Sequence, residues 1–166
     1  VTKKISLYIA LLFVVALTQE FGLSHLSLFK ISPDLVTIFI AFISVTIGQK
    51  TGTSFGFAAG IITGILSGNL GLNMLARTVE GFIAGYFNIP ENSHATAKQK
   101  TTRLYGASVT AGFIANAVLA AGYNPLGLSL TYRIVVLGLL ESFLTLLLAV
   151  ILSRLFLRKS LADCDG

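Results

Sequence analysis

The sequence predicts an all-α polytopic membrane bundle of about six transmembrane helices, with both termini in the cytoplasm and a single transmembrane domain over residues 1–166. Three observations predict it. Of the 166 residues, 54% are hydrophobic and only 11% are charged, against about 25% charged in soluble domains, and the mean hydropathy is +0.83. The apolar residues gather in six runs, each approaching the roughly 20 residues that a helix needs to cross the hydrocarbon layer. The basic residues fall between those runs rather than along one stripe, so the net charge of +5 reads as a topology signal and not as a nucleic-acid surface.

The first run extends from about Ile5 to Leu23, behind Lys3 and Lys4. No small-x-small cleavage pattern follows at Thr18-Gln19-Glu20, so this segment is expected to remain as a membrane helix rather than leave as a signal peptide. The second begins at Pro33, a favourable first-turn residue, and runs to about Gly48. The third covers about Gly52 to Leu66 and the fourth about Leu72 to Phe87, with Asn69 and Asn73 near the turn between them. The longest polar stretch, Asn88 to Thr102, reads as a cytoplasmic loop. A fifth run, about Leu104 to Ala121, is closed by the turn-forming Gly122-Tyr123-Asn124-Pro125. The sixth extends from about Leu130 to Phe156 and ends in Arg158-Lys159. An N-terminus inside puts Lys3, Lys4, Lys50, Lys98, Lys100, Arg103, Arg154, Arg158 and Lys159 on the cytoplasmic side, against Lys30 alone outside. Removing any one helix sends the Lys98–Arg103 cluster or the C-terminal cluster to the wrong side.

Glycine recurs at Gly48, Gly52, Gly56, Gly60, Gly64 and Gly68, and again at Gly81 and Gly85. A four-residue spacing keeps these positions on one helical face. In lipid, helices gain little from hydrophobic association, and such small-residue faces let backbones approach closely. The expected use is packing inside this chain's own bundle, with a face for another protein's helix as the alternative. Four ionisable residues fall inside or near the runs: Arg77 and Glu80 on the fourth, Arg133 and Glu141 on the sixth. A lone charge there is costly, so pairing is expected. Arg77 and Glu80 lie three apart on one face, and cross-helix pairs, Arg133 with Glu80 or Arg77 with Glu141, are the alternatives. Asp34 follows Pro33 and is expected to cap the second helix against its N-terminal dipole.

Catalysis finds no support. His25 and His94 lie in opposite loops, and Cys164 sits alone in the polar tail, so no metal site and no disulfide is expected. No serine has a matching His or Lys, and no Gly-rich turn with Lys-Ser or Lys-Thr follows a strand. The expectation is therefore no catalytic residue, no metal and no cofactor.

The stretch Ser32-Pro33-Asp34-Leu35, the glycine ladder, and the turn Leu66-Ser67-Gly68-Asn69-Leu70-Gly71-Leu72-Asn73 resemble the MreD family of rod-shape-determining membrane proteins. The resemblance covers most of the chain. One departure is Gly64, where many members carry an Asp shortly before the turn glycine. The resemblance implies a non-enzymatic scaffold in the bacterial inner membrane, part of the machinery for lateral cell-wall elongation. It further implies that the chain binds the membrane-anchored MreC protein and helps position peptidoglycan synthases, with membrane lipid around it and no nucleic-acid partner. The competing reading is the substrate-binding subunit of an energy-coupling-factor vitamin transporter, also a compact six-helix protein with glycine-rich helices. Such a subunit encloses a pocket near the outer face, and the absence of Trp together with thin outer loops weighs against it.

Overall fold

The computed structural model describes residues 2–22, 32–90, 95–124 and 127–154. All regular structure among them is helical: α1 (Thr2–Phe21), α2 (Leu35–Thr46), α3 (Gln49–Ser67), α4 (Leu70–Ala84), α5 (Ala97–Gly122) and α6 (Leu130–Leu152). A 3₁₀ turn, Gly85–Phe87, extends α4, and a π-helical turn, Arg133–Leu137, interrupts α6. The loop residues His25, Lys30 and His94, and the C-terminal Arg158, Lys159 and Cys164, lie outside the described residues.

The helix at the centre is α2, which touches every other helix. Its sequence, LVTIFIAFISVT, is apolar on all sides, and nine of its residues are buried, as a fully surrounded helix requires. One core cluster joins Leu12 and Ala16 of α1 to Val36, Phe39, Ile40 and Ile43 of α2 and to Phe55 and Ala59 of α3. A second joins Ala41 and Val45 to Ala84 of α4 and to Leu104, Ala107 and Ala111 of α5. Buried hydroxyls bond backbone carbonyls: Thr63 to Ala59 (2.9 Å), Ser108 to Leu104 (2.9 Å) and Ser142 to Gly138 (2.8 Å) on their own helices, and Ser44 of α2 to Gly81 of α4 (3.3 Å). Large apolar side chains remain exposed on the outside of the bundle, among them Leu7, Phe13 and Val14 on α1 and Leu139, Phe143 and Ile151 on α6. A surface of that kind matches hydrocarbon rather than water.

Helix boundaries differ from expectation where capping chemistry decides them. α2 starts after Pro33, because the Asp34 side chain caps it; the helix is 12 residues long, or about 18 Å, well short of a hydrocarbon layer about 30 Å thick. α5 starts seven residues earlier than the apolar run suggests. Thr96 accepts from the Gln99 backbone (3.4 Å) and Gln99 Oε1 accepts from the Thr96 backbone (2.9 Å), a reciprocal cap that winds Lys98–Arg103 into helix. Two helices, Lys98–Gly122 and Leu130–Leu152, are long and apolar enough to cross a membrane on their own; Ile5–Phe21 and Leu35–Thr46 are apolar but shorter.

The glycine ladder divides by function. Gly48 (φ +127°) and Gly68 (φ +76°) lie outside α3 and mark its two ends, conformations that favour a residue without Cβ. Their expected place in the packing stripe is corrected accordingly: a Cβ on Gly48 would meet only Asn88 at 3.9 Å, and one on Gly68 nothing within 4 Å. The interior members face neighbours in the same chain. A Cβ on Gly56 would lie 2.2 Å from the Arg77 carbonyl oxygen, on Gly60 2.5 Å from Met74 Cα, on Gly64 2.7 Å from Leu70 Cα, and on Gly81 2.4 Å from the Gly52 carbonyl oxygen. A Cβ on Gly52 would collide with Ser44 of α2, and one on Gly85 with the Gln49 side chain. Backbone touches backbone along the α3–α4 seam, the most extensive helix pair in the fold.

Candidate functional site

The start of α2 gathers four helices. Asp34 Oδ1 accepts from the backbone N–H of Val36 (3.0 Å) and Thr37 (3.1 Å), while its own N–H donates to Thr145 Oγ1 of α6 (3.1 Å). From α1, Gln19 brackets the same turn: its Oε1 accepts from Leu35 N–H (2.9 Å) and its Nε2 donates to the Pro33 carbonyl (3.2 Å). The first amide groups of a helix have no partner within it, and here side chains of three elements supply partners.

The second Asp34 oxygen, Oδ2, meets Arg77 Nη2 of α4 at 2.6 Å. Arg77 Nη1 donates to Glu80 Oε2 (2.9 Å) and to Thr37 Oγ1 (3.0 Å). Arg77 is 6% exposed and Glu80 0%, so one guanidinium serves two carboxylates inside the bundle. Separating such a pair by removing one partner costs about 3–5 kcal/mol, because the other charge stays buried without compensation. The geometry fixes α2 against α4. The glycine seam supports it from behind, since Gly56 packs on the carbonyl of Arg77 itself.

The expected pair Arg77–Glu80 forms, and the cross-helix alternatives do not form among the described residues. Arg133 Nη1 donates to the Tyr123 carbonyl (2.6 Å), fastening the start of α6 to the end of α5, and Arg77 pairs with Asp34 and Glu80 rather than Glu141. Arg133 and Glu141 sit on one helix with a π-helical turn between them, and both face a cavity of about 370 Å³. Gln19 of α1, Ser32 and Asp34 before α2, Arg77 of α4, Asn116 of α5 and the following Tyr123 also line it. The cavity occupies the half of the bundle in which α1 and α5 finish and α4 and α6 begin, and it reaches the middle of α4 at Arg77 and of α6 at Glu141. Arg77 Nε, Arg133 Nε and Glu80 Oε1 are buried without a hydrogen-bond partner among the described residues.

The opposite end is closed by other polar contacts. Asn88 Nδ2 donates to the carbonyls of Val45 (2.9 Å) and Ser44 (3.3 Å) at the end of α2, and Arg103 donates to the Asn88 carbonyl (3.1 Å). Tyr105 and Ser153 share a hydrogen bond between α5 and the end of α6.

Sequence reasoning did not find the Asp34–Arg77 bond, nor the roles of Gln19, Thr37, Thr145 and Asn116. A helix cap accounts fully for an Asp in that position, so nothing local marks its second oxygen as a partner for a residue of α4. The charge balance offered the one signal: three carboxylates, Asp34, Glu80 and Glu141, face two guanidiniums, Arg77 and Arg133, so one arginine has to serve more than one acid.

A comparison with curated proteins gives no significant match. Residues 2–93 match the family described as rod shape-determining protein MreD. That span holds the glycine seam, the cap at Asp34 and the Arg77–Glu80 pair. Matched over more than half of its length, the chain belongs to the MreD family of rod shape-determining membrane proteins.

Proposed function

We propose that the protein is a non-enzymatic scaffold of the cell-wall elongation machinery. It spans the bacterial inner membrane six times with both termini in the cytoplasm, binds an MreC-like membrane-anchored partner and helps position peptidoglycan synthases. The observation that carries this reading is the family match over residues 2–93. The architecture supports it. A bundle rigidified by backbone-to-backbone packing and a buried ion cluster presents fixed apolar faces, which suit the binding of other proteins' membrane helices. The basic residues support the orientation, which puts the cavity in the non-cytoplasmic half of the bundle, with the ion cluster at its inner edge. In this arrangement the short α2 is accommodated by its position at the centre, surrounded by protein rather than lipid.

A second reading, the substrate-binding subunit of a vitamin transporter, is favoured by one observation, the cavity in that half with polar and charged side chains in its lining. Purification of the tagged protein from its native host in mild detergent, with mass spectrometry of what accompanies it, separates the two. Recovery of an MreC-like protein with wall synthases is expected; recovery of ATPase subunits with a coupling membrane protein would replace the scaffold by the transporter.

A further inference from the structure

Opposite charges on one helix facing the cavity define a ligand. Arg133, held at Nη1 by the Tyr123 carbonyl, lines the 370 Å³ space. Glu141 lines it too and makes no hydrogen bond or ion pair among the described residues, although Asp34 and Arg77 are within its electrostatic reach. Charged side chains within a membrane bundle are costly without counter-charges, so a guanidinium and a carboxylate facing one cavity call for a guest that brings acceptor oxygens and a charged donor together. Arg133 and Glu141 are eight positions apart on α6, about 12 Å along a helix, which sets the reach of that guest. Outside the cavity, α6 exposes Val135, Val136, Leu139 and Leu140, an apolar strip beside which acyl chains can lie.

We propose that this cavity binds a zwitterion in which a primary ammonium group, held by Glu141, is joined to an anionic phosphate or carboxylate, held by the guanidinium group of Arg133. A lipid headgroup and a free small molecule share this chemistry. The binding stands on the cavity alone; only its placement at the outer leaflet rests on the orientation given above.

The test uses native mass spectrometry of the whole purified protein, stripped of lipid in detergent. The probes are phosphatidylethanolamine, phosphatidylglycerol with the same acyl chains, and free O-phosphoethanolamine. Wild type is expected to hold phosphatidylethanolamine about tenfold more tightly than phosphatidylglycerol, the scale of one desolvated charge contact. Glu141→Gln, close to isosteric, should abolish that preference while keeping the melting temperature of the lipid-free protein. Arg133→Gln, the independent variant at the other end of the site, should weaken both lipids alike. Displacement of the lipid by O-phosphoethanolamine would assign the site to a soluble zwitterion, and resistance to displacement would assign it to the headgroup. Equal binding of the two lipids by wild type, or a preference that survives Glu141→Gln, overturns the proposal. Binding of no probe overturns it as well, and leaves the cavity to water or to a partner's basic side chain.

Discussion

Arg77→Ala is expected to cost about 3–5 kcal/mol of folding stability, among the largest losses available to a single substitution in this chain. The guanidinium is the common partner of Asp34 at 2.6 Å and Glu80 at 2.9 Å. Its removal leaves a fully buried carboxylate at Glu80 with only the bundle around it, and it frees α4 from the start of α2. Glu80→Ala removes one of two acceptors and should be damaging in its own right. Because the two side chains contact each other, the double variant should lose less than the sum of the singles, with a coupling on the order of 1–3 kcal/mol. Thermal unfolding of the four proteins in one detergent measures the cycle. Purely additive losses would show that the pair, though close, contributes nothing as a pair.

Gly60→Leu tests the seam behind that cluster. A Cβ at Gly60 would stand 2.5 Å from Met74 Cα and 2.7 Å from the Asn73 carbonyl oxygen. Main-chain atoms of a helix cannot turn aside as a flexible side chain can, so α3 and α4 must separate along their whole contact. A cost on the order of 3 kcal/mol, at the upper end of ordinary overpacking, is expected, with low yield of folded protein in the membrane. Leu66→Val, near the end of α3, keeps its apolar character and should be mild. Equal expression and equal melting temperature of the two variants in detergent would contradict a packing seam. The comparison also bears on Arg77, since the next glycine along the seam, Gly56, rests against its carbonyl oxygen.

The parts of this architecture that are written locally could be read from the sequence. Apolar runs gave the helices in order, four-residue spacing exposed the glycine face of α3, and the cost of charge in lipid singled out Arg77, Glu80, Arg133 and Glu141. Boundaries were read less well because apolar content does not set them. The Thr96–Gln99 cap extends α5 into a basic stretch that hydropathy treats as loop, and this Thr-x-x-Gln spacing was a legible signal. Gly48 and Gly68 share the ladder's period yet end α3, a distinction that rests on φ and is invisible to spacing. The site itself was least legible. The ion pair Asp34–Arg77 and the anchoring of Asp34 N–H by Thr145 join residues far apart in the chain, and the cavity exists only once α5 and α6 close against α2 and α4.

The central claim is that the protein directs lateral wall growth as part of the elongation machinery. Depletion of the chain from its native host, with fluorescent labelling of newly made peptidoglycan, tests it most directly. The account predicts that rods become round and that new wall, at first laid along the side walls, becomes scattered as the protein is lost. Cells that stay rod-shaped with side-wall labelling unchanged, after the protein has fallen below detection, would contradict it.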